Sequence, residues 1–475
     1  MESLPLHKRN VGRDDERISA LPDELLLGIL ERLELREAVR AGAVSTRWRH
    51  LAHRLSRLHL NGRHFRCTTL LQYMDAFTGA ARSLLTDRDC DCNGSHAVKS
   101  ISLRFFLSAP HLSSIGRAVE HVVSRGETKR LHFGTCSPYK RNTALQLAEF
   151  GQQFMSFSRD YPLAFRWLTR LTLKNLAFGH PDVTDLISAC DRLTHLTLSF
   201  CQLVDEHTPL KINTPCSGIK DLEFIQFGCT QIELISVPKL SKVQCTSWRL
   251  ANPPVRFGYV PELCNVSLST GAMAWQAPFL LSKCLSGSAM NLSRISLNFC
   301  HQMIWIQPEH PNQLAAIFRN LGHVSLFGIF PECDLSWTLF ILDAAPALFS
   351  LTLSRTRHSC VETPKDSAEK TTVVWEPSKD SKNLKLKFLL IFGFEEEDKV
   401  INYIRLVMER AVGLKRIELD VERPCEYCKD TDLESATRSQ VDEASSHRIR
   451  ERLAHGSSSL VEIIINVKSP NSSIC

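Results

Sequence analysis

The sequence has no hydrophobic run long enough to span a bilayer. Its longer apolar stretches, such as Phe388–Phe394, fall far short of the roughly 18 residues a membrane helix needs. The amino terminus, MESLPLHKRNVGRDDER, is polar and lacks the apolar region of a secretory leader. The Asn-x-Ser sequons at Asn93, Asn265, Asn291 and Asn471 are therefore expected to be chance matches. Strong charge imbalance is missing too: 57 Lys and Arg against 51 Asp and Glu leave +6 over 475 residues. That balance demands neither nucleic acid nor an anionic membrane as partner. Gly-rich phosphate loops, HExxH, GxSxG and paired catalytic carboxylates are absent, so no enzyme class is indicated. Cysteine, by contrast, is plentiful. Seventeen thiols without a leader point to reduced side chains in the cytosol or nucleus, not to a disulfide framework.

A composition of 43% apolar and 23% charged residues is that of an ordinary globular chain. Length alone suggests about three compact domains, but an internal repeat overrides that expectation. The pattern apolar-x-x-apolar-x-apolar starts at Leu168, Leu193, Ile219, Leu240, Leu263, Leu292, Leu321 and Leu348. Successive starts lie 25, 26, 21, 23, 29, 29 and 27 residues apart, within the leucine-rich-repeat range of roughly 20–29. Less regular copies start at Leu55, Val98, Leu386, Leu414 and Leu460, separated by polar stretches at 86–96, 354–383 and 422–459 that read as surface loops. No single repeat buries its own apolar stripe, so neighbours must stack into an α/β solenoid, a horseshoe. Cys201 and Cys300 take the ninth place of their repeats and are expected to be buried as small hydrophobes.

Side chains of a strand alternate faces. The last two apolar residues of each pattern therefore point inward, and the residue between them points out. In the regular repeats those outward residues are Thr172, Thr197, Glu223, Gln244, Ser267, Ser296, Ser325 and Thr352, all polar. Two places earlier stand Arg170, His195, Asp221, Lys242, Arg294 and His323. These six are the candidate ligand-binding residues, with Phe200, Phe299 and Phe327 at the margin. Binding on the convex loops or the C-terminal segment is the alternative.

Before the repeats the period changes. Leu21, Leu25, Leu26, Ile29, Leu30 and Leu33 follow helical spacing, with Pro22, Asp23 and Glu24 suited to a helix start. Further short helices are expected from about Arg36 and about Ser45. Three such helices form a marginal module that needs support from the solenoid or a partner.

The residues Leu21-Pro22-Asp23-Glu24-Leu25-Leu26, Ile29-Leu30, Leu33, Val44-Ser45, Arg47-Trp48-Arg49 and Leu51 resemble an F-box. With repeats behind it, the chain is similar to the plant F-box/leucine-rich-repeat proteins. Val400–Leu419 (VINYIRLVMERAVGLKRIEL) resembles the end of the FBD-type segment that often closes such chains. The resemblance implies a non-catalytic receptor. Its F-box docks on the acidic adaptor subunit of an SCF-type cullin–RING ubiquitin ligase, and its repeats hold a protein substrate. Carried over by position, the adaptor-binding residues are Leu21, Pro22, Leu25, Leu26, Ile29, Val44, Trp48 and Leu51, whereas Leu30 and Leu33 pack inward. A repeat scaffold or inhibitor outside any ligase is the other reading. The expected layout is a disordered tail (1–17), an F-box (18–54), repeats (55–383) and an FBD-like end (384–475). The basic run through Arg47, Arg49, Arg54, Arg57, Arg63 and Arg66 is assigned to the adaptor interface or to solvation, not to nucleic acid. Cys425 and Cys428, with Cys90 and Cys92 elsewhere, are read as free loop thiols, since no second ligand pair stands nearby. No metal or cofactor is expected.

Overall fold

The computed structural model describes residues 21–42, 45–62, 65, 67, 69–86, 97–137, 142–248, 252–270, 277–285, 291–300, 304–355, 375, 384–421, 443–454 and 461–467. The expected tail at 1–17, most of the loop at 86–96, Val44, and the cysteines at 90, 92, 425 and 428 lie outside them. By compactness the chain divides into Met1–Asn175 with Ala189–Leu193, and Leu176–Ser188 with Thr194–Cys475. The F-box segment and the first strands fall in the same unit.

That first unit begins with α1 (Asp23–Leu30), α2 (Leu35–Ala41) and α3 (Thr46–His53). Strands β1 (Arg57–Asn61), β2 (Ser100–Phe106), β3 (Arg130–Cys136) and β4 (Arg170–Lys174) follow, connected through α4 (Leu70–Leu85), α5 (Ala109–Val123), α6 (Ala144–Asp160) and α7 (Pro162–Arg166). The strands pair in chain order, all parallel. Parallel pairing requires a crossover, and the helices provide it. The unit's core is aromatic. The Phe133 ring lies 5.7, 6.0 and 5.8 Å from those of Phe105, Phe157 and Phe165.

The second unit's sheet runs through β6 (His195–Ser199), β9 (Asp221–Ile225), β11 (Lys242–Trp248), β13 (Asn265–Thr270), β14 (Arg294–Asn298), β15 (His323–Ile329), β16 (Ser350–Arg355), β17 (Phe388–Phe392), β18 (Arg416–Val421) and β19 (Glu462–Val467). All neighbours in that order are parallel. The return segments differ between repeats. The repeats starting at Leu193, Ile219 and Leu240 return through β8 (Leu210–Asn213), β10 (Ile232–Ser236) and β12 (Val255–Tyr259), a parallel three-stranded sheet, while β5 (Ala177–Phe178) pairs with β7 (Gln202–Leu203). The repeat starting at Leu168 returns through α8 (Asp182–Ala189), and the repeats of 27 residues or more through α9 (Leu281–Cys284), α10 (Pro311–Phe318), α11 (Leu339–Ala344) and α12 (Asp398–Arg410). Reach favours an extended return in the shortest repeats, since an extended residue advances about 3.3 Å and a helical one about 1.5 Å.

Every strand expected from the repeat pattern is present, two residues after the pattern's start. Strand β3 is an addition. Its pattern reads Thr128-x-x-Leu131-x-Phe133, with a hydroxyl where the others carry an apolar group. Thr128 is nevertheless buried, because its Oγ1 donates to the Val98 carbonyl at 3.0 Å. Several strands carry a left-handed residue within or just after their last few residues: Asn175, Phe200, Gln226, Ser247, Gly328 and Gly393 all have positive φ. At Gly393 a Cβ would fall 1.8 Å from the Arg355 carbonyl oxygen, so only glycine fits.

Two loop expectations need correction. The polar stretch 422–459 contains α13 (Glu443–Ala454), whose Ile449 and Leu453 are buried one turn apart. Its other face is tied to the start of α12 and the residue Glu396 just before it, by Arg448–Glu396 at 2.7 Å, Arg452–Glu396 at 2.8 Å and Arg452–Asp398 at 2.5 Å. Hydrogen bonds from Arg448 and Arg452 hold the Glu396 carboxyl below its usual range. The stretch 354–383 likewise starts inside β16: Arg355 is buried, donates to the Pro331 carbonyl at 2.5 Å and lies 3.4 Å from Glu397.

Candidate functional site

Helix α1 is anchored at both ends. At its start Asp23 pairs with Arg47 of α3 at 2.6 Å and with Arg54 at 3.4 Å, and Arg47 also donates to the Leu21 carbonyl at 2.7 Å. At its end Glu31 accepts the Ser56 N–H at 3.2 Å, and Arg57 donates to the Glu31 carbonyl at 2.9 Å. The bond from the Ser56 hydroxyl, with Arg57 and Lys99 nearby, holds the Glu31 carboxyl below the usual range. Helix α3 starts on an Ser45 cap, whose Oγ accepts the Trp48 N–H at 3.3 Å. Arg47 and Arg54 of the basic run therefore serve the module itself.

These anchors fix which stripe of α1 faces inward. Leu26 and Leu30 are fully buried, as is Leu51 on α3. Leu26 and Leu51 were expected on the docking face, and that is corrected: they are the module's own core. Leu25 (56% exposed), Ile29 (40%) and Leu33 (44%), spaced four apart, form a solvent-facing apolar stripe. Leu33 reverses the inward expectation, because α1 ends at Leu30 and the following turn carries its side chain outward. Pro22 is exposed, and Leu21 and Trp48 are half-buried. Val39 on α2, 46% exposed, adds an apolar residue that the F-box pattern does not single out.

All eight residues expected to point outward between the strands' inward leucines are half-buried. The six candidate ligand residues divide between the two units. His195, Asp221, Lys242, Arg294 and His323 lie in one row at the strand starts, with Asn265 between Lys242 and Arg294. Their signs are mixed, and His195 Nε2 sits 2.9 Å from Asp221 Oδ2. Arg170 belongs to the first unit, beside His132. Of the marginal phenylalanines, Phe200 is exposed, whereas Phe299 is fully buried against Trp305 and Trp337 and leaves the candidate set.

Thiol chemistry has little basis among the described cysteines. Burial pushes Cys190, Cys229 and Cys284 up to about 12 and Cys333 up to about 11, which keeps them protonated. Cys201 is buried as expected. Cys300 is only half-buried: it adopts φ 49° at the turn, and that backbone swings it out of the ninth-place position.

The sequence pattern missed the first unit's outward face. Along β1–β4 the outward positions carry Arg57, His59, Arg104, Arg130, His132, Arg170 and Lys174, and no Asp or Glu. Most of it was missed because β1 and β2 belong to irregular copies and β3 was unrecognised. His132 sits at the centre, with Nδ1 3.1 Å from the Ser102 hydroxyl and Nε2 3.1 Å from the Thr172 hydroxyl. Burial, and then the charges of Arg104, Arg170 and His59, lower its pKa to about 4. The folded chain thus refuses a proton that the unfolded chain accepts near pH 6.5. Stability should fall as pH is lowered from about 6.5 towards about 4. Melts of wild type and His132→Gln test this. The wild type should lose more stability than the variant between pH 6.5 and 5, above the range where Glu31 and Glu396 titrate. Parallel losses would refute it.

The profile of the At1g61320/AtMIF1 LRR domain matches residues 150–471, and an F-box-like profile matches residues 18–59. The FBD-like residues 400–419 fall within the repeat match, where they build α12 and β18 as one more repeat. No curated protein matches the chain. Among solved structures, one titled "Crystal structure of TLR13-ssRNA13 complex" aligns at 11% identity over 71% of this chain and 57% of that one, with a TM-score of 0.18. So low a score carries no argument. No helix among the described residues is long and apolar enough to cross a membrane.

Proposed function

Since the chain belongs to the family of the At1g61320/AtMIF1 LRR domain and carries an F-box-like segment ahead of it, we propose that it is a substrate receptor of an SCF-type cullin–RING ubiquitin ligase. The observation that carries this reading is the stripe of Leu25, Ile29 and Leu33. A helix already anchored through Leu26 and Leu30 has no structural need for a second apolar face, and such a face marks a docking surface. Its occupant is the adaptor subunit, and through it the cullin. The repeats hold a protein substrate, so that a substrate lysine is kept at high effective concentration beside the loaded ubiquitin carrier. The chain itself performs no bond chemistry in this scheme and works where thiols stay reduced, in the cytosol or nucleus.

Affinity purification of the full chain from its native cells tests the proposal. Adaptor and cullin should both co-purify, and deleting residues 18–59 should remove both. If neither accompanies the intact chain, the scaffold or inhibitor reading replaces this one.

A further inference from the structure

The outward face of β1–β4 carries charge of one sign. Five permanent cations stand on four adjacent strands without an acidic residue between them. Register puts Arg104 beside Gly134 and His132 beside Arg170. Gly134 makes room for this: a Cβ there would stand 2.9 Å from Arg104 Cγ, so the arginine stem lies across the glycine and its head stays on the face. Arg416, by contrast, pairs with Glu418 and Glu462. Among the described residues no carboxylate pairs with Arg104, Arg130 or Arg170. Like charges gathered on one face repel one another, and an anion bound there relieves the repulsion.

We propose that this face binds an anionic peptide segment of the substrate, phosphorylated or rich in Asp and Glu. The inference deepens the proposed function and rests on its reading that the repeats hold a protein. Arginine forks suit both anions, because carboxylate and phosphate each accept two parallel N–H bonds. The hydroxyls of Ser102 and Thr172, flanking the neutral His132 ring, supply further hydrogen bonds at the centre. Four strands span about 15 Å, the length of a few extended residues. A nucleic-acid strand fits less well, since base stacking needs several aromatic platforms and Phe106 is the lone aromatic on this face.

Binding of four fluorescent probes to the full chain at low salt tests the proposal: a deca-glutamate peptide, a Gly/Ser peptide carrying two phosphoserines, a deca-glutamine peptide and a single-stranded RNA decamer. At least one of the two anionic peptides should bind, and the stronger identifies the source of the charge. Deca-glutamine should not bind. The Arg104→Gln/Arg170→Gln variant should bind about 10- to 100-fold more weakly, with an unchanged melting temperature, while Lys239→Gln leaves binding as it was. Failure of both anionic peptides, indifference to the double substitution, or stronger binding of the RNA would each overturn the inference. Adaptor co-purification, measured on the same variant, separates the two levels. If it persists without peptide binding, only this inference falls; if it is absent while peptide binds, only the ligase reading falls.

Discussion

Replacing Leu25 and Ile29 together with aspartate will leave the protein folded and strip it of its adaptor. Both side chains project from α1 into solvent, so the substitutions open no cavity, and the melting temperature should change little. In the proposed complex they become central apolar anchors. Removing two such anchors costs about 2–4 kcal/mol, or about 30- to 1000-fold in affinity. Substituting Leu26 or Leu51 would not give so clean a result, because each empties the module's interior and unfolds the surface being tested. Pull-down of purified adaptor decides the matter. Capture equal to wild type would mean that the adaptor, if it binds, docks on another face.

The largest loss of stability is expected at Phe133. Its ring is fully buried and meets those of Phe105, Phe157 and Phe165, which come from the neighbouring strand β2, helix α6 and helix α7. Phe133→Ala should cost about 3–5 kcal/mol, since the transfer free energy of the ring is lost and rings held by three different elements collapse poorly into the gap. Leu145, 84% exposed at the start of α6, is the control, and Leu145→Ala should stay within about 0.5 kcal/mol of wild type. Denaturant titrations of the two variants provide the measurement. Similar losses would show that α6 is held by its exposed face and that the core has been placed wrongly.

Much of this protein is written locally. The repeat spacing located each strand it identified to the residue, because an inward leucine or isoleucine at every second position has one register in a stacked parallel sheet. The outward polar residues followed from the same alternation, and the short helices from Leu21 to Leu51 followed from a change of period. Where local pattern and burial part company, tertiary structure decided. Thr128 passes for a polar loop residue until the Val98 carbonyl receives its hydroxyl. Ile449 and Leu453 are two apolar residues in a charged stretch until Glu396 and Asp398 hold the helix that joins them. Leu25 and Leu26 are equivalent in the F-box pattern, yet one faces water and the other the core, because the contacts of Asp23 and Glu31 set the rotation of α1. The basic face of the first unit has the same origin. Most of its cations come from separate strands, tens of residues apart in sequence, and only the pairing of β1 to β4 brings them onto one face, where a single extended ligand can meet several of them.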